Sequence, residues 1–242
     1  MDLKILYEDN HLIAIDKEPG TLSQKDSSGA PSLIEYVKDY IKKKYDKPGA
    51  VFLGPVHRLD KPASGVMLFA RTSKAAERLQ KEFAARKVVK LYLALVENRK
   101  PHRPGTWIEC EDRLVRKRGF SERAGAGSRN VKTAHLRFIC LGSNRRYALL
   151  LVSLLTGRKH QIRAQLAAEG TPVVGDATYG ARESLPRGAI CLHAHFLKFT
   201  HPTRREQIEI VSPVPERISH RLSIDDDLLS RIESEIRTSK PG

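Results

Sequence analysis

The stretch Pro55-Val56-His57-Arg58-Leu59-Asp60-Lys61-Pro62-Ala63-Ser64-Gly65, followed by the apolar run at residues 66–70, places charged residues among turn residues directly before a predicted buried strand. A charged loop that leads into a buried strand presents its side chains at the edge of a sheet, where clefts form. Asp60 is the one carboxylate of the stretch. Taken alone, the stretch fits an active-site loop and an ordinary turn that begins at an Asp equally well.

The pattern around this stretch predicts more strands than helices. Ser32 and Glu35 form a capping box at the start of one helix, and Gly170 marks the end of another. We predict strands at residues 3–7, 12–16, 66–70, 88–96, 132–140, 147–155, 189–199 and 207–211, and helices near residues 33–47, 73–86, 159–169 and after Ser223. Most connections are short, which favours an α+β fold around a largely antiparallel or mixed sheet with flanking helices over a doubly wound parallel sheet.

A second segment, Thr156-Gly157-Arg158-Lys159-His160-Gln161-Ile162-Arg163, joins a predicted strand to a predicted helix and carries three cations. The N-terminus of a helix already favours anions through its free N–H groups and its dipole. Cations at that position are unfavourable for the helix itself, so we expect an acidic group to face them. An RNA phosphate and an active-site carboxylate are the two candidates, and solvated side chains are the alternative.

Charge supports a polyanionic partner. The 242 residues contain 43 Lys and Arg against 28 Asp and Glu, which gives a formal net charge of +15. Such an excess favours nucleic acid through counterion release without specifying its sequence. The basic, Gly-rich region at residues 113–132 is interpreted as a loop or frayed hairpin, either an RNA-contact element or a solvated linker.

The composition shows no pattern typical of a membrane span, a signal peptide, a disulfide framework or a metal site. No apolar run approaches the roughly 18 residues of a membrane span, and no signal peptide is evident. Cys110, Cys140 and Cys191 are scattered, which is typical of small buried thiols in a reducing cytoplasm. His193-Ala194-His195 has the spacing of one strand face, so we expect hydrogen bonding there and predict no metal or other cofactor.

An ordered series of motifs then resembles the RluA-type pseudouridine synthases. The series comprises Lys17–Gly20, His57-Arg58-Leu59-Asp60 with Ser64-Gly65, Lys90-Leu91-Tyr92-Leu93-Ala94, Thr156–Arg163 with Gly170, Gly175-Asp176, Tyr179-Gly180, Leu192-His193-Ala194 and His201-Pro202. Departures are modest: Glu18, Ala63, Asn98 and Gln165 stand where the family usually has other residues. The resemblance implies a catalytic domain at residues 1–214 with a central active-site cleft, and a helical tail at residues 215–242. We expect no separate S4-type RNA-binding domain before it.

The resemblance implies an isomerase that detaches uracil from C1′ of a uridine in ribosomal or transfer RNA, turns the base and rejoins it through C5. Asp60 would act either as the nucleophile or as the base that removes a sugar proton, and it must be ionised for both. The family match gives Arg163 as its counter-charge and Tyr92 as the residue that stacks on the base. Arg58 would hold the position that the flipped base vacates. Further RNA contacts are expected from His57, Lys61, Arg158, Lys159 and His160.

Three other functions fit part of the pattern. A catalytically silent RNA-binding protein would share the charge but would not need Asp60, Tyr92 and Arg163 together. A glycosidase would need two carboxylates, and the motifs offer one. A metal-free ribonuclease would use His57 and His160 as base and acid. Oligomeric state and the identity of the RNA are not indicated by the sequence.

Overall fold

The structure, a computed structural model, describes residues 2–26, 29–102 and 104–240. These residues form two compact units, the first from residues 2–88 and 194–213 and the second from residues 89–193 and 214–240. The described strands are β1 (Ile5–Glu8), β2 (Leu12–Lys17), β3 (Gly54–Pro55), β4 (Ser64–Ala70), β5 (Val89–Glu97), β6 (Trp107–Arg116), β7 (Ser121–Arg123), β8 (Lys132–Ser143), β9 (Tyr147–Leu154), β10 (Leu192–Thr200) and β11 (Gln207–Val211). The described α-helices are α1 (Leu33–Lys44), α2 (Ser73–Ala84), α3 (Gln161–Ala168), α4 (Glu216–Ser219) and α5 (Asp226–Thr238), and short 3-10 helices lie at Ala177–Tyr179 and Pro186–Gly188.

The first unit is built on antiparallel pairs. Strand β2 lies between β1 and β4, β3 pairs with the far end of β4, and β10 pairs with β11. Every residue of β4 is buried, as its continuous apolar run predicts. Helix α2 packs Ala75, Ala76 and Leu79 into the same core as Leu68 and Phe199. The loop that carries Asp60 enters this core through β4.

The second unit is an antiparallel sheet in the order β5-β9-β8-β6-β7. Helix α3 follows β9, and Gly170 ends it in the left-handed conformation (φ +80°), as the sequence predicts. Helix α5 packs on β8, with Leu228 and Ile232 buried. Its Glu235 accepts a hydrogen bond from Trp107 Nε1 at 3.1 Å. The tail helix therefore belongs to the core of the second unit.

The α+β class is confirmed, and the predicted capping box is present at α1, where the Ser32 N–H donates to Glu35 Oε2 at 2.8 Å. One local prediction needs correction. Strand β6 was not predicted before residue 113, because its charged residues hide the alternation of a half-buried strand; the hairpin considered for residues 113–132 is present as the antiparallel pair of β6 and β7. The helix predicted after Ser223 is α5, and its N-cap is Asp225, whose side chain accepts from the Leu228 N–H at 2.9 Å. None of the described helices is long and apolar enough to cross a membrane.

Candidate active site

The loop before β4 is held from its inner side by Lys17. This side chain is fully buried, and its ammonium donates hydrogen bonds to the carbonyl oxygens of Lys61 at 3.1 Å and Ala63 at 2.7 Å. The Gly20 N–H reaches the same Lys61 oxygen at 2.8 Å. A buried ammonium needs such acceptors because it has left water. The motif at residues 17–20 therefore holds the backbone of the motif that contains Asp60.

Ser23 holds the same loop at Leu59, the residue before Asp60. Its hydroxyl donates to the Leu59 carbonyl at 2.7 Å and accepts from the Leu59 N–H at 3.2 Å. Asp60, half-buried, lies between these two anchored points, and its own carbonyl accepts from the Ala63 N–H at 3.1 Å. The backbone around the carboxylate is therefore fixed on both sides.

Gly65 explains why this loop can enter the sheet. Its φ is +111°, and a Cβ built there would lie 2.2 Å from the Ala194 carbonyl oxygen of β10. Only glycine fits a backbone conformation and an approach of this kind. The glycine of the Ser64-Gly65 motif is thus required by packing in the first unit.

The other predicted residues of this loop lie in different environments. His57 accepts the Leu68 N–H at Nε2 at 2.9 Å and stacks on Phe83 with ring centroids 5.3 Å apart. These contacts anchor the loop to β4 and α2, a role that the sequence did not indicate. Arg58 and Lys61 are exposed, as side chains that meet RNA must be.

In the second unit, Arg163 forms a buried bidentate ion pair with Asp176. Its Nε donates to Oδ2 at 2.6 Å and its Nη2 to Oδ1 at 2.9 Å. The guanidinium carbon also lies 5.0 Å from the centroid of the Tyr179 ring. Charge-assisted hydrogen bonds in this two-point geometry are strong, and they also fix the orientation of the guanidinium group. Asp176 and Tyr179 belong to the quoted motif, but no role for them was predicted, because only the folded chain brings them to α3.

The start of α3 is ordered by its own side chains. His160, the N-cap residue, has a left-handed backbone (φ 53°), and its Nδ1 lies 3.3 Å from the Tyr179 hydroxyl. Gln161 accepts at Oε1 from the Thr156 hydroxyl at 2.7 Å and from the Arg158 N–H at 3.0 Å. Tyr92 lies near the middle of β5, opposite Val152, and is 8% exposed.

A basic groove lies beside this helix start. It is a cavity of about 460 Å³ lined by four cations, Arg116, Lys132, Arg158 and Lys159, together with Leu114, Val115, Ser121, Asn130 and Gly157. Arg158 is oriented by donating from Nε to the Thr133 carbonyl at 3.0 Å. The groove joins two elements that the sequence proposed separately for RNA contact, the basic region at residues 113–132 and the segment at residues 156–163. No carboxylate is among the lining residues that the structure describes.

Two other expectations concern buried polar groups. Gln165, which departs from the family pattern, is fully buried and donates from Nε2 to Asp112 Oδ2 at 2.8 Å, so it joins α3 to β6. His195 lies 2.7 Å through Nδ1 from the Ser212 carbonyl, the kind of hydrogen bond that we predicted for that segment. Burial lowers the pKa of His195 below its usual value, more than this hydrogen bond raises it. All three cysteines are buried and free.

Comparison with known proteins assigns the family. The profile of the RNA pseudouridylate synthase family matches residues 11–168. The ribosomal large subunit pseudouridine synthase D of Xylella fastidiosa is 33% identical over 234 residues, covering 91% of this chain and 69% of that protein. The tRNA pseudouridine synthase C of Haemophilus ducreyi is 32% identical over 229 residues, covering 87% of this chain and 90% of that protein.

Solved structures agree. The structure of human RNA pseudouridylate synthase domain containing 4 superposes with a TM-score of 0.73 at 25% identity, covering 90% of this chain and 91% of that one. Human RNA pseudouridylate synthase domain containing 1, at 23% identity and a TM-score of 0.70, shows the same fold over the whole chain.

Fold, motif order and relatives together define an RNA-modifying isomerase. The chain belongs to the RNA pseudouridylate synthase family, and the resemblance to its RluA-type members is confirmed. RNA as the partner is confirmed with it, and the glycosidase and ribonuclease alternatives lose their basis.

Proposed function

We propose that this chain converts specific uridines of ribosomal or transfer RNA to pseudouridine, with Asp60 as the catalytic carboxylate. The observation that carries the proposal is the position of Asp60, the single carboxylate of its motif, on a loop that Lys17 and Ser23 anchor from inside the first unit. A carboxylate that must meet one carbon of a ribose gains from such fixed placement, because orientation removes part of the barrier.

Asp60 acts in its ionised form. It either attacks the ribose as a nucleophile or takes a proton from the sugar, and both routes lead to release of uracil from C1′. The base then turns and C5 bonds to C1′. On the nucleophilic route the bond between Asp60 and C1′ breaks in this step; on the proton-abstraction route the sugar regains its proton. C5 then releases its proton and N1 takes one up, so the product has the same composition as uridine and the reaction is redox-neutral.

Arg163 and Tyr92 complete the proposed catalytic set. The ion pair with Asp176 uses the Nε and Nη2 edge of the Arg163 guanidinium. The family resemblance gives Arg163 as the residue that supplies positive charge for the catalytic carboxylate. It gives Tyr92 as the residue that stacks on the uracil after the nucleotide has left its helix, at a cost of a few kcal/mol.

The RNA backbone is proposed to lie in the basic groove, with Arg158 and Lys159 on phosphates. Arg58 holds the vacated position of the base, and Lys61 and His160 add contacts from the two motif segments. His57 is kept as an RNA-binding candidate, although its described contacts anchor the loop. Such phosphate contacts set affinity and salt dependence more than sequence choice.

The experiment is conversion of unmodified RNA. Ribosomal and transfer RNA transcribed in vitro are incubated with the purified chain, and pseudouridine is mapped in each; loss of the same site from cells without the gene identifies the natural target. Product in one class of RNA supports the proposal and names the substrate. Intact RNA with no isomerised uridine in either class would contradict it. A cytoplasmic location is part of the same proposal.

A further inference from the structure

A second cluster of cations lies at the opposite end of β9 from the basic groove. This arginine pocket is a cavity of about 600 Å³ in the second unit, lined by Glu97, Asn98, Arg99, Arg145, Arg146, Tyr147, Arg182 and Glu183. It is formed where β5 ends, where β8 turns into β9, and where the chain passes residues 182 and 183. None of its residues belongs to the matching motifs, and Asn98 stands at a position where the chain departs from the family pattern.

The two carboxylates of the pocket are occupied by internal partners. Glu97 accepts from Arg99 Nε at 2.8 Å and from the N–H groups of Arg182 and Glu183 at 2.5 and 3.1 Å. Glu183 accepts from the Tyr147 hydroxyl at 2.6 Å and from Arg221 Nε at 2.9 Å. Burial by itself raises the pKa of both acids, but these hydrogen bonds outweigh it and hold each pKa below its usual value.

Three arginines of the pocket, Arg145, Arg146 and Arg182, are exposed, and no salt bridge joins them to a carboxylate within the described ranges. The Arg146 guanidinium carbon lies 5.4 Å from the centroid of the Tyr147 ring, which orients that side chain. The turn that carries the first two arginines is rigid: Asn144 Oδ1 accepts from the N–H groups of Arg146 at 2.9 Å and Tyr147 at 2.8 Å. Three arginines on a fixed frame form a site prepared for an anion with several charged oxygens.

The pocket is not built to recognise a base. Tyr147 is its one aromatic residue, and this residue is 9% exposed with its hydroxyl committed to Glu183. Bases of single-stranded RNA are commonly recognised by stacking on exposed aromatic side chains, and the described lining of this pocket offers none. Arginines without such a surface fit the phosphate backbone of a nucleic acid, which carries charge but no sequence information.

We propose that the arginine pocket binds backbone phosphates of the substrate RNA at a distance from the reacting uridine. Tyr92 and Glu97 are five residues apart on β5, so the pocket begins about 16 Å along that strand from Tyr92. This inference rests on the proposed function, which supplies RNA as the ligand. It implies a substrate with a footprint longer than the target nucleotide and its immediate neighbours.

The test compares the full chain with the triple variant Arg145→Gln, Arg146→Gln and Arg182→Gln. The control is the triple variant Lys42→Gln, Lys43→Gln and Lys47→Gln, which removes the same charge from exposed positions on and just beyond α1. Affinity for unmodified ribosomal RNA is measured against salt concentration, together with kcat, KM and Tm. UMP and inorganic phosphate serve as small competing probes.

We expect the arginine variant to bind RNA at least tenfold more weakly than the control at 0.15 M salt, with an unchanged Tm. The slope of log K against log salt should fall by about 2, since each phosphate that is no longer neutralised lowers it by about 0.7–0.9. KM should rise more than kcat falls. An affinity and slope equal to those of the control would overturn the proposal, as would saturable UMP binding that the substitutions abolish while RNA binding persists. Pseudouridine formation by the unaltered chain is scored separately, so failure of the proposed function is distinguished from failure of the pocket.

Discussion

Arg163 and Asp176 form an ion pair with both side chains almost completely removed from solvent, 4% and 1% exposed. The pair joins the first turn of α3 to residues 176–179, which follow that helix along the chain. It therefore sets the orientation of the guanidinium on which the proposed catalytic set depends. Removal of one partner of such a buried pair lowers the free energy of unfolding strongly, because the other charge stays buried without a counter-charge.

Replacing Arg163 tests this relationship. We expect Arg163→Ala to lower the free energy of unfolding by about 3–5 kcal/mol, because Asp176 is left buried without its counter-charge. Turnover should be crippled together with stability. Arg163→Lys, which keeps the charge but lacks the fork, should recover only part of both. Denaturant unfolding and single-turnover isomerisation measure the two effects, and an unchanged midpoint and rate in Arg163→Ala would contradict the pairing.

Lys17 is predicted to support activity from inside the first unit. Lys17→Met keeps the length of the side chain but leaves the Ala63 carbonyl without its ammonium donor, at a cost of about 1–3 kcal/mol in unfolding free energy. Turnover should fall at temperatures where the variant is still folded, because the loop around Asp60 loses its clamp. The matched control is Lys4→Met, an exposed lysine with a surface salt bridge to Glu18. Equal rates and stabilities for the two variants would show that Lys17 does not hold the loop.

Gly65 offers a test of the backbone requirement. In Gly65→Ala the new methyl group meets the Ala194 backbone and the residue keeps a left-handed φ, so we expect a loss of about 2–4 kcal/mol in unfolding free energy. Gly125→Ala is the control, since nothing lies within 4 Å of its built Cβ. Thermal unfolding of both variants decides the matter: a Gly65→Ala midpoint as high as that of Gly125→Ala would show that β10 does not constrain the loop.

The basic groove is tested by salt dependence. Replacing Arg158 and Lys159 together by Gln should reduce the slope of log K against log salt by about 0.7–0.9 for each phosphate that is no longer neutralised, and weaken binding to different RNA sequences to a similar degree. Lys42→Gln with Lys43→Gln removes the same charge from α1 and should leave the slope within error. A slope that does not differ between the two pairs of substitutions would place the RNA backbone elsewhere.

Local signals in the sequence predicted local structure well. The capping box of Ser32 and Glu35, the run of β4 and the stop at Gly170 each depend on neighbours within a few residues, and all three are present. Strand β6 was missed because Glu109, Glu111 and Asp112 interrupt its apolar alternation and its partners come from β7 and β8.

The candidate site was predictable only as a set of motifs in order. The three proposed catalytic residues and their order could be quoted from the sequence, whereas the partners that position them could not. Lys17 reaches the Ala63 carbonyl across 46 residues, and Arg163 reaches Asp176 across a helix and a turn. Such contacts depend on the assembled sheet, so no local pattern of residue types reveals them. The proposed catalytic roles of Asp60, Tyr92 and Arg163 remain predictions.

The most direct test of the central claim is single-turnover pseudouridine formation by Asp60→Asn on an RNA that the unaltered chain converts. The amide preserves the shape of the carboxylate but can neither attack the ribose nor take its proton. We predict no detectable product, with RNA affinity within a few-fold of the unaltered chain and full activity in the exposed control Asp39→Asn. Pseudouridine formation by Asp60→Asn at a rate comparable to that control would contradict the assignment of Asp60 as the catalytic carboxylate.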